Sequence, residues 1–399
     1  MAIKKIVIVV VSPLTKRDFI RFGGEVLKDN GFDVWVYDFS PVAYPKLFKN
    51  CTFPDIYRPE NYILCSNERQ VEKYIGELSP HSFVVAGTGL RFSSETYKIW
   101  QALSKTKIPY CVVSNQSAPV WVEKKSSYFF RVLKKISSLG PKALKKIIYY
   151  PKFSHLWRIR PADFCIAGSE LSLDRNRARL RGDMIGDATE ILWTHAPDYD
   201  VYLENKGKNV KASRNLSVFL DPLGPMFQGD ALVLDYKVPT TVGNYYPSIC
   251  RFFDFVEKEL DINIEIAAHP KSNHPPYPDY FGGRRTIRGD TFGMTESSRF
   301  VITHSSTAFQ FAILLKKPVI FLTTAELEKD KIFSGLIKAW ANSIGKKPIN
   351  IDEPLTIDWE KELYVDEKIY NDYTERHIKR KGTEELNIWQ ILANRLNRV

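Results

Sequence analysis

Between Lys4 and Asn115, short β-branched runs alternate with segments of helical period. "KKIVIVVVS", "FDVWVYDFS", "HSFVVAGTG" and "PYCVVSNQS" have strand length and little polar alternation. "KRDFIRFGGEVLKDNG", ending at Gly31, "RQVEKYIGEL" and "SSETYKIWQALSKT" lie among them with apolar residues at helical spacing. A strand apolar on both faces must be covered on both, and strands joined through helices pair in parallel. This pattern predicts a parallel, doubly wound α/β sheet. The glycine pairs in "FGGE" and "AGTGLR" lack the GxGxxG spacing of a dinucleotide fingerprint and read as turns.

The same alternation resumes later. "ADFCIAGSE" reads as a last strand of the first series. From Tyr199 to Asn215 the chain turns polar, which suggests a linker. Then come "LSVFLDPLGP" (strand into turn), "YYPSICRFFDFVEKEL" (helix), "INIEIAAHP" (strand) and "DTFGMTESS" (short helix). "RFVITHSSTAFQFAILLKKPVIFLTT" follows as strand, turn, helix and strand, and "TEELNIWQILANRL" is an amphipathic helix near the end. A chain of 399 residues has room for two such units. The expected division is residues 1–205, 206–375 and a final segment, 376–399, that crosses back to the first domain.

Composition excludes several classes. With 44% hydrophobic and 26% charged residues, the chain is neither disordered nor fibrous. No apolar run is long enough to cross a bilayer. Five scattered cysteines without CxxC spacing fit reduced thiols and a cytoplasmic location. The net charge of +11 is matched by one stretch, residues 124–160, with eleven Lys or Arg and no acid. Aromatic and aliphatic residues interleave with its lysines, a pattern suited to peripheral contact with an anionic membrane at the inner face of the cytoplasmic membrane. A solvated helical face is the plainer alternative, and no nucleic-acid motif accompanies the charge.

In doubly wound sheets, ligands bind beyond the carboxyl ends of the strands. The residues delivered there are Ser169 and Glu170 in the first series. In the second they are Asp221, then His269-Pro270-Lys271, then His304-Ser305-Ser306-Thr307. Three hydroxyls where a helix begins exceed what a cap needs and suit a phosphate. His269 can donate to a departing phosphate, although a lone strand-end histidine is more often structural. Lys271, and Arg284, Arg285 and Arg288 in "GGRRTIRGD", can add positive charge. Asp221 reads either as an Asx-turn residue before Pro222 or as a carboxylate aimed at a substrate, with Asp230 as the next candidate. Glu170 reads either as part of a helix start or as a second carboxylate. The one D-x-D, Asp198-Asp200, falls in the polar stretch and reads as surface, so no metal is expected.

His269-Pro270 followed by Ser305-Ser306-Thr307 resembles the HP and SS/ST motifs of bacterial glycosyltransferases that use CMP-activated nonulosonates. With the "FLD" strand end, "SSTAFQFAILLKKPVIF" and "HIKRKGTEELNIWQIL", the similarity is greatest to the Kdo-transferring branch of capsule and O-antigen assembly, which includes retaining β-Kdo transferases. The resemblance spans about Leu216 to Leu322 and the C-terminal segment. The acidic D/E-D/E-G motif of sialyltransferases is absent, which favours Kdo. The resemblance implies a GT-B fold, with two Rossmann-like domains whose parallel sheets face an interdomain cleft. It also implies a CMP-Kdo donor and a glycan or lipid-linked glycan acceptor, with neither cofactor nor metal. His269, Lys271, Ser305, Ser306 and Thr307 would bind CMP. Asp221 and Glu170 would be nucleophile and acid/base, with His269 assisting departure of CMP. A sialyltransferase, a UDP-sugar transferase or 2-epimerase of the same fold, and a non-catalytic glycan-binding module are the alternatives.

Overall fold

The computed structural model describes residues 2–50, 55–87, 89–116, 118–119, 157–174, 184–208, 213–222, 224–226, 238–270, 272 and 279–398. Lys271, Asp230 and all of the basic stretch before Trp157 lie outside these residues. The chain forms two compact units. The first comprises the described residues of 1–117, 122–197 and 380–399, the second those of 118–121 and 198–379.

In the first unit, β1 (Lys5–Val10), β2 (Asp33–Asp38), β3 (Tyr62–Leu64), β4 (Ser82–Ala86), β5 (Tyr110–Ser114), β6 (Phe164–Ala167) and β7 (Glu190–Trp193) form one parallel sheet. Its order is β3-β2-β1-β4-β5-β6-β7. Strand period explains why β1 has no polar face. Val7 and Val9 point into one core with Trp100 and Leu103, while Ile6, Ile8 and Val10 point into another with Phe19 and Leu27. The second core also takes Ile388, Trp389, Leu392 and Leu396 of the C-terminal helix (Ile388–Leu396).

The helices on this sheet are α1 (Lys16–Arg21), α2 (Gly24–Asp29), α3 (Ser40–Ala43), α4 (Pro45–Asn50), α5 (Glu68–Gly76) and α6 (Tyr97–Lys105). The single helix expected to end at Gly31 is therefore two, α1 and α2. Gly23 breaks it with φ +77°, and a Cβ there would lie 2.2 Å from the Trp389 ring. Trp389 Nε1 donates to the Arg21 carbonyl at 2.8 Å across the same break. Two demands meet at this glycine: a left-handed turn and close approach of an indole. β3 and β7 were not anticipated, since their short runs lack the dense β-branched character of the central strands.

α7 (Pro197–Asn205), which lies in the second unit from Asp198 on, occupies part of the stretch expected as a linker. The stretch is helical at its start: Tyr199 is buried, and the polar residues around it lie on the helix's more exposed side. β8 (Leu216–Leu220), β9 (Asn263–Ala268), β10 (Thr286–Arg288), β11 (Val301–Thr303), β12 (Val319–Thr323) and β13 (Ile349–Asn350) make a second parallel sheet, ordered β10-β9-β8-β11-β12-β13. Its longest helix is α8 (Val242–Leu260), followed by α9 (Thr291–Ser297), α10 (Phe309–Leu314), α11 (Ala325–Lys329) and α12 (Lys331–Ser343). Tyr245, Ile249, Phe252, Phe253 and Val256 lie on one side of α8 at helical spacing. They pack on Phe219, Ile264, Ile302 and Ile320 of the sheet. Each such buried side chain stabilises the unit by roughly 2 kcal/mol. The same face brings the Tyr245 phenol to the carboxyl end of the sheet.

Candidate active site

Sheet topology places most of the candidate site residues at one end of the second unit's sheet. β8 lies between β9 and β11, and strand order reverses beside it. The carboxyl ends at such a reversal leave room for a ligand because successive connections depart to opposite sides. Pairing of Leu220 with Ala267 and of Ile302 with Phe219 sets the level at which the turns leave. Asp221, His269 and His304 follow these adjacent strands directly.

His304 is the centre of a buried polar cluster. Its Nε2 lies 2.5 Å from the Tyr245 hydroxyl and its Nδ1 lies 2.9 Å from Ser305 Oγ. The Tyr245 ring meets the imidazole edge-on, with centroids 5.5 Å apart. Burial pushes the His304 imidazole down to about 4, against the opposing pull of the Asp221 charge. The histidine is therefore neutral at physiological pH. Burial first, and the Asp221 charge second, hold the Tyr245 and Tyr246 phenols well above their ordinary range. Asp221 itself is only 2% exposed, and its backbone N–H donates to the Ala267 carbonyl at 3.1 Å. Sequence reasoning noticed His304 but gave it no role, and it missed Tyr245. An aromatic on a core-facing helical position reads as packing, and only the fold shows that its hydroxyl meets a histidine.

The turn after β11 is tied to β8. Thr303 Oγ1 donates to the Leu220 carbonyl at 3.4 Å and accepts the Ser306 N–H at 3.3 Å. Ser305 and Ser306 are half-buried and Thr307 is exposed. Among the described residues, no hydrogen bond reaches the side chains of Ser306 or Thr307. The idea of a helix terminus facing the ligand needs correction. α10 begins only at Phe309 and is six residues long, so the hydroxyls stand in the preceding turn. What they offer an anion is O–H donors rather than a long helix dipole.

At the neighbouring strand end, the Ser272 N–H donates to the His269 carbonyl at 2.8 Å, closing the turn around Pro270. Arg288 Nη1 donates to the carbonyl of the buried Ser272 at 3.2 Å. The arginines suggested as ligand cations all have partners within the protein. Arg284, with its side chain 8% exposed, bonds Asp254 and Glu257 at 2.6 Å each, and Arg285 bonds Glu265 at 2.9 Å. Loop arginines looked available because their acidic partners lie 20 to 30 residues away in sequence.

Glu170 belongs to the first unit, in the turn after β6. It is exposed and pairs with Arg380 at 3.4 Å, while the Arg380 N–H donates to the Gly168 carbonyl at 3.1 Å. Among the described residues, no group of three or more His, Cys, Asp or Glu can hold a metal ion. Cys65, Cys111, Cys165 and Cys250 are free thiols. No described helix is long and apolar enough to cross a membrane.

No protein-family model and no curated protein matches the chain. Solved structures do. The wall teichoic acid polymerase TagF, soaked with CDPG, is similar with a TM-score of 0.55 and 14% identity, covering 99% of this chain and 88% of that one. MnaA of S. aureus, solved with UDP, is similar with a TM-score of 0.51 and 13% identity, covering 100% and 98%. At these identities the likeness shows the fold. The chain is an α/β protein with the two Rossmann-like domains of the GT-B type.

Proposed function

We propose that the chain is a glycosyltransferase that moves Kdo or a related nonulosonate from its CMP ester to a growing surface glycan. The observation that carries the proposal is the convergence of His269, Asp221 and the Ser305–Thr307 turn on three adjacent strand ends at the reversal of the second sheet. Hydroxyl donors without a metal suit a leaving group with a single phosphate. Ser305, Ser306 and Thr307 bind that phosphate in this reading, joined by Lys271, and His269 assists its departure. CDPG in TagF, a cytidine ligand on the same fold, supports the choice of base.

In the retaining form of the reaction, Asp221 attacks the anomeric carbon as CMP leaves. The acceptor hydroxyl then displaces Asp221 while Glu170 takes its proton. In the inverting form, one carboxylate serves as base alone. The acceptor is a glycan, free or lipid-linked. The UDP bound to MnaA supports a second reading, a UDP-sugar transferase or 2-epimerase.

Titration calorimetry with CMP, CDP, UMP and UDP separates the two. CMP is expected to bind most tightly and, at ~100 times its dissociation constant, to add about 2.7 kcal/mol of stability. A clear preference for UDP overturns the donor assignment. Transfer from CMP-Kdo is expected to continue in EDTA. Its abolition by chelator, with rescue by magnesium or manganese, counts against a site built from hydroxyl donors.

A further inference from the structure

The two hydrogen bonds of His304 have a direction that the chemistry of their partners fixes. The Tyr245 hydroxyl is buried, and a buried phenol O–H is favoured to donate to whatever acceptor lies within reach. Among the described residues, its one hydrogen-bond partner is His304 Nε2, at 2.5 Å. Nε2 must then accept, which places the imidazole proton on Nδ1. A protonated Nδ1 donates, and its partner is Ser305 Oγ at 2.9 Å. Ser305 Oγ is thus an acceptor toward the histidine, and its own O–H is left to donate away from the core. The residue is half-buried, in the turn at the sheet reversal.

We infer that Tyr245 and His304 form a one-way hydrogen-bond chain that aims the Ser305 hydroxyl outward as a donor, making both of them positioning residues for an acceptor atom on the ligand. The inference rests on the proposed function, in which this turn receives the donor phosphate, and it assigns Ser305 the direction of its bond. Donors in series polarise one another, so the last O–H is a better donor than an isolated serine. The neutrality of His304 supports the direction, since an imidazolium would donate from both nitrogens and leave the phenol O–H without its acceptor. The chain also has a chemical consequence for specificity. It presents a donor where the ligand must supply an acceptor, such as a phosphate or carboxylate oxygen.

The test begins with the unaltered protein. Histidine-selective ¹³C/¹⁵N labelling reports the tautomer of His304, with the resonance assigned by its loss in His304→Asn. The expected form carries the proton on Nδ1, and a proton on Nε2 overturns the chain. CMP affinity is then measured for Tyr245→Phe, Ser305→Ala, the double variant and Ser305→Thr, with folding checked by thermal unfolding. Tyr245→Phe is expected to lose the fixed tautomer and weaken CMP binding by about tenfold. Ser305→Ala is expected to weaken it equally, the double variant no further, and Ser305→Thr to bind nearly as the parent. If Ser305→Ala weakens CMP but Tyr245→Phe does not, the positioning role falls and the phosphate reading stands. If Ser305→Ala, Ser306→Ala and Thr307→Ala all bind CMP as the parent does, the phosphate reading falls and the positioning role with it.

Discussion

Asp38 and Asp221 both stand at the carboxyl end of a central strand, and both are buried, 1% and 2% exposed. Their surroundings differ. Asp38, in the first unit, accepts the Ser40 N–H at 2.8 Å, the Ser40 hydroxyl at 2.5 Å and the Tyr62 hydroxyl at 2.7 Å. All three donors are inside the unit, and the cluster is closed. Asp221 acts electrostatically on the Tyr245–His304 pair, whose hydrogen bonds continue to Ser305, half-buried in the turn after β11. Burial of a carboxylate is therefore no sign of function by itself. In the proposed reading, the second cluster differs in ending on a hydroxyl that donates to a ligand.

The largest effect expected from breaking the closed cluster is on stability. Asp38→Ala leaves three donors without their acceptor and should cost about 3 kcal/mol in denaturant unfolding. A loss below about 1 kcal/mol would mean that the cluster rearranges freely.

The open cluster should respond in turnover. Asp221→Asn keeps shape and removes charge, and it is expected to slow transfer from CMP-Kdo by ~10²-fold while sparing CMP affinity. Intact-protein mass spectrometry with donor tests the nucleophile directly, since Glu170→Gln should then accumulate a covalent sugar. Near-normal turnover in Asp221→Asn would leave the residue as the turn-former before Pro222.

The pH dependence of stability sharpens the contrast, because the two clusters pull in opposite senses. The folded state holds His304 down to about 4 by burial, below its ordinary 6.5. Its contribution is complete above pH 6.5, where the unfolded chain is also neutral. It is lost as pH falls through 6.5 toward 4, by about 3 kcal/mol. Burial raises the Asp38 carboxyl above its ordinary value, so its contribution is present at low pH and fades as pH rises through the folded value. Unfolding free energies between pH 4 and 7 should lose the rising slope in His304→Asn. An unchanged slope in that variant would place its origin elsewhere.

The smallest effect is expected at the arginines that pair within the protein. Arg285→Ala breaks an exposed pair with Glu265 and should change stability by less than about 0.5 kcal/mol. CMP affinity should not move. A several-fold loss of affinity would return Arg285 to the site.

Much of this molecule could be read from the chain because its signals are local. Strand period, β-branched runs and helix spacing reported the central strands β1, β4, β8 and β11, since burial on both faces demands apolar residues at every position. The short edge elements β3, β7, β10 and β13 escaped, because an edge strand of two to four residues carries little pattern. The break at Gly23 could not be foreseen from "FGGE" alone, since it depends on Trp389 from the far end of the chain. The candidate residues Asp221, His269 and Ser305–Thr307 were visible because each leaves the carboxyl end of an apolar run. The sequence by itself determined the α/β class, the strand ends and the residue types offered there. Tertiary structure alone decided which groups are used within the protein and which face outward. It set Arg284 on Asp254 and Glu257, and it set a helix tyrosine, 59 residues from His304, against Nε2. The reason is physical: hydrogen-bond direction and charge pairing depend on distances of a few ångströms between residues that sequence spacing does not relate.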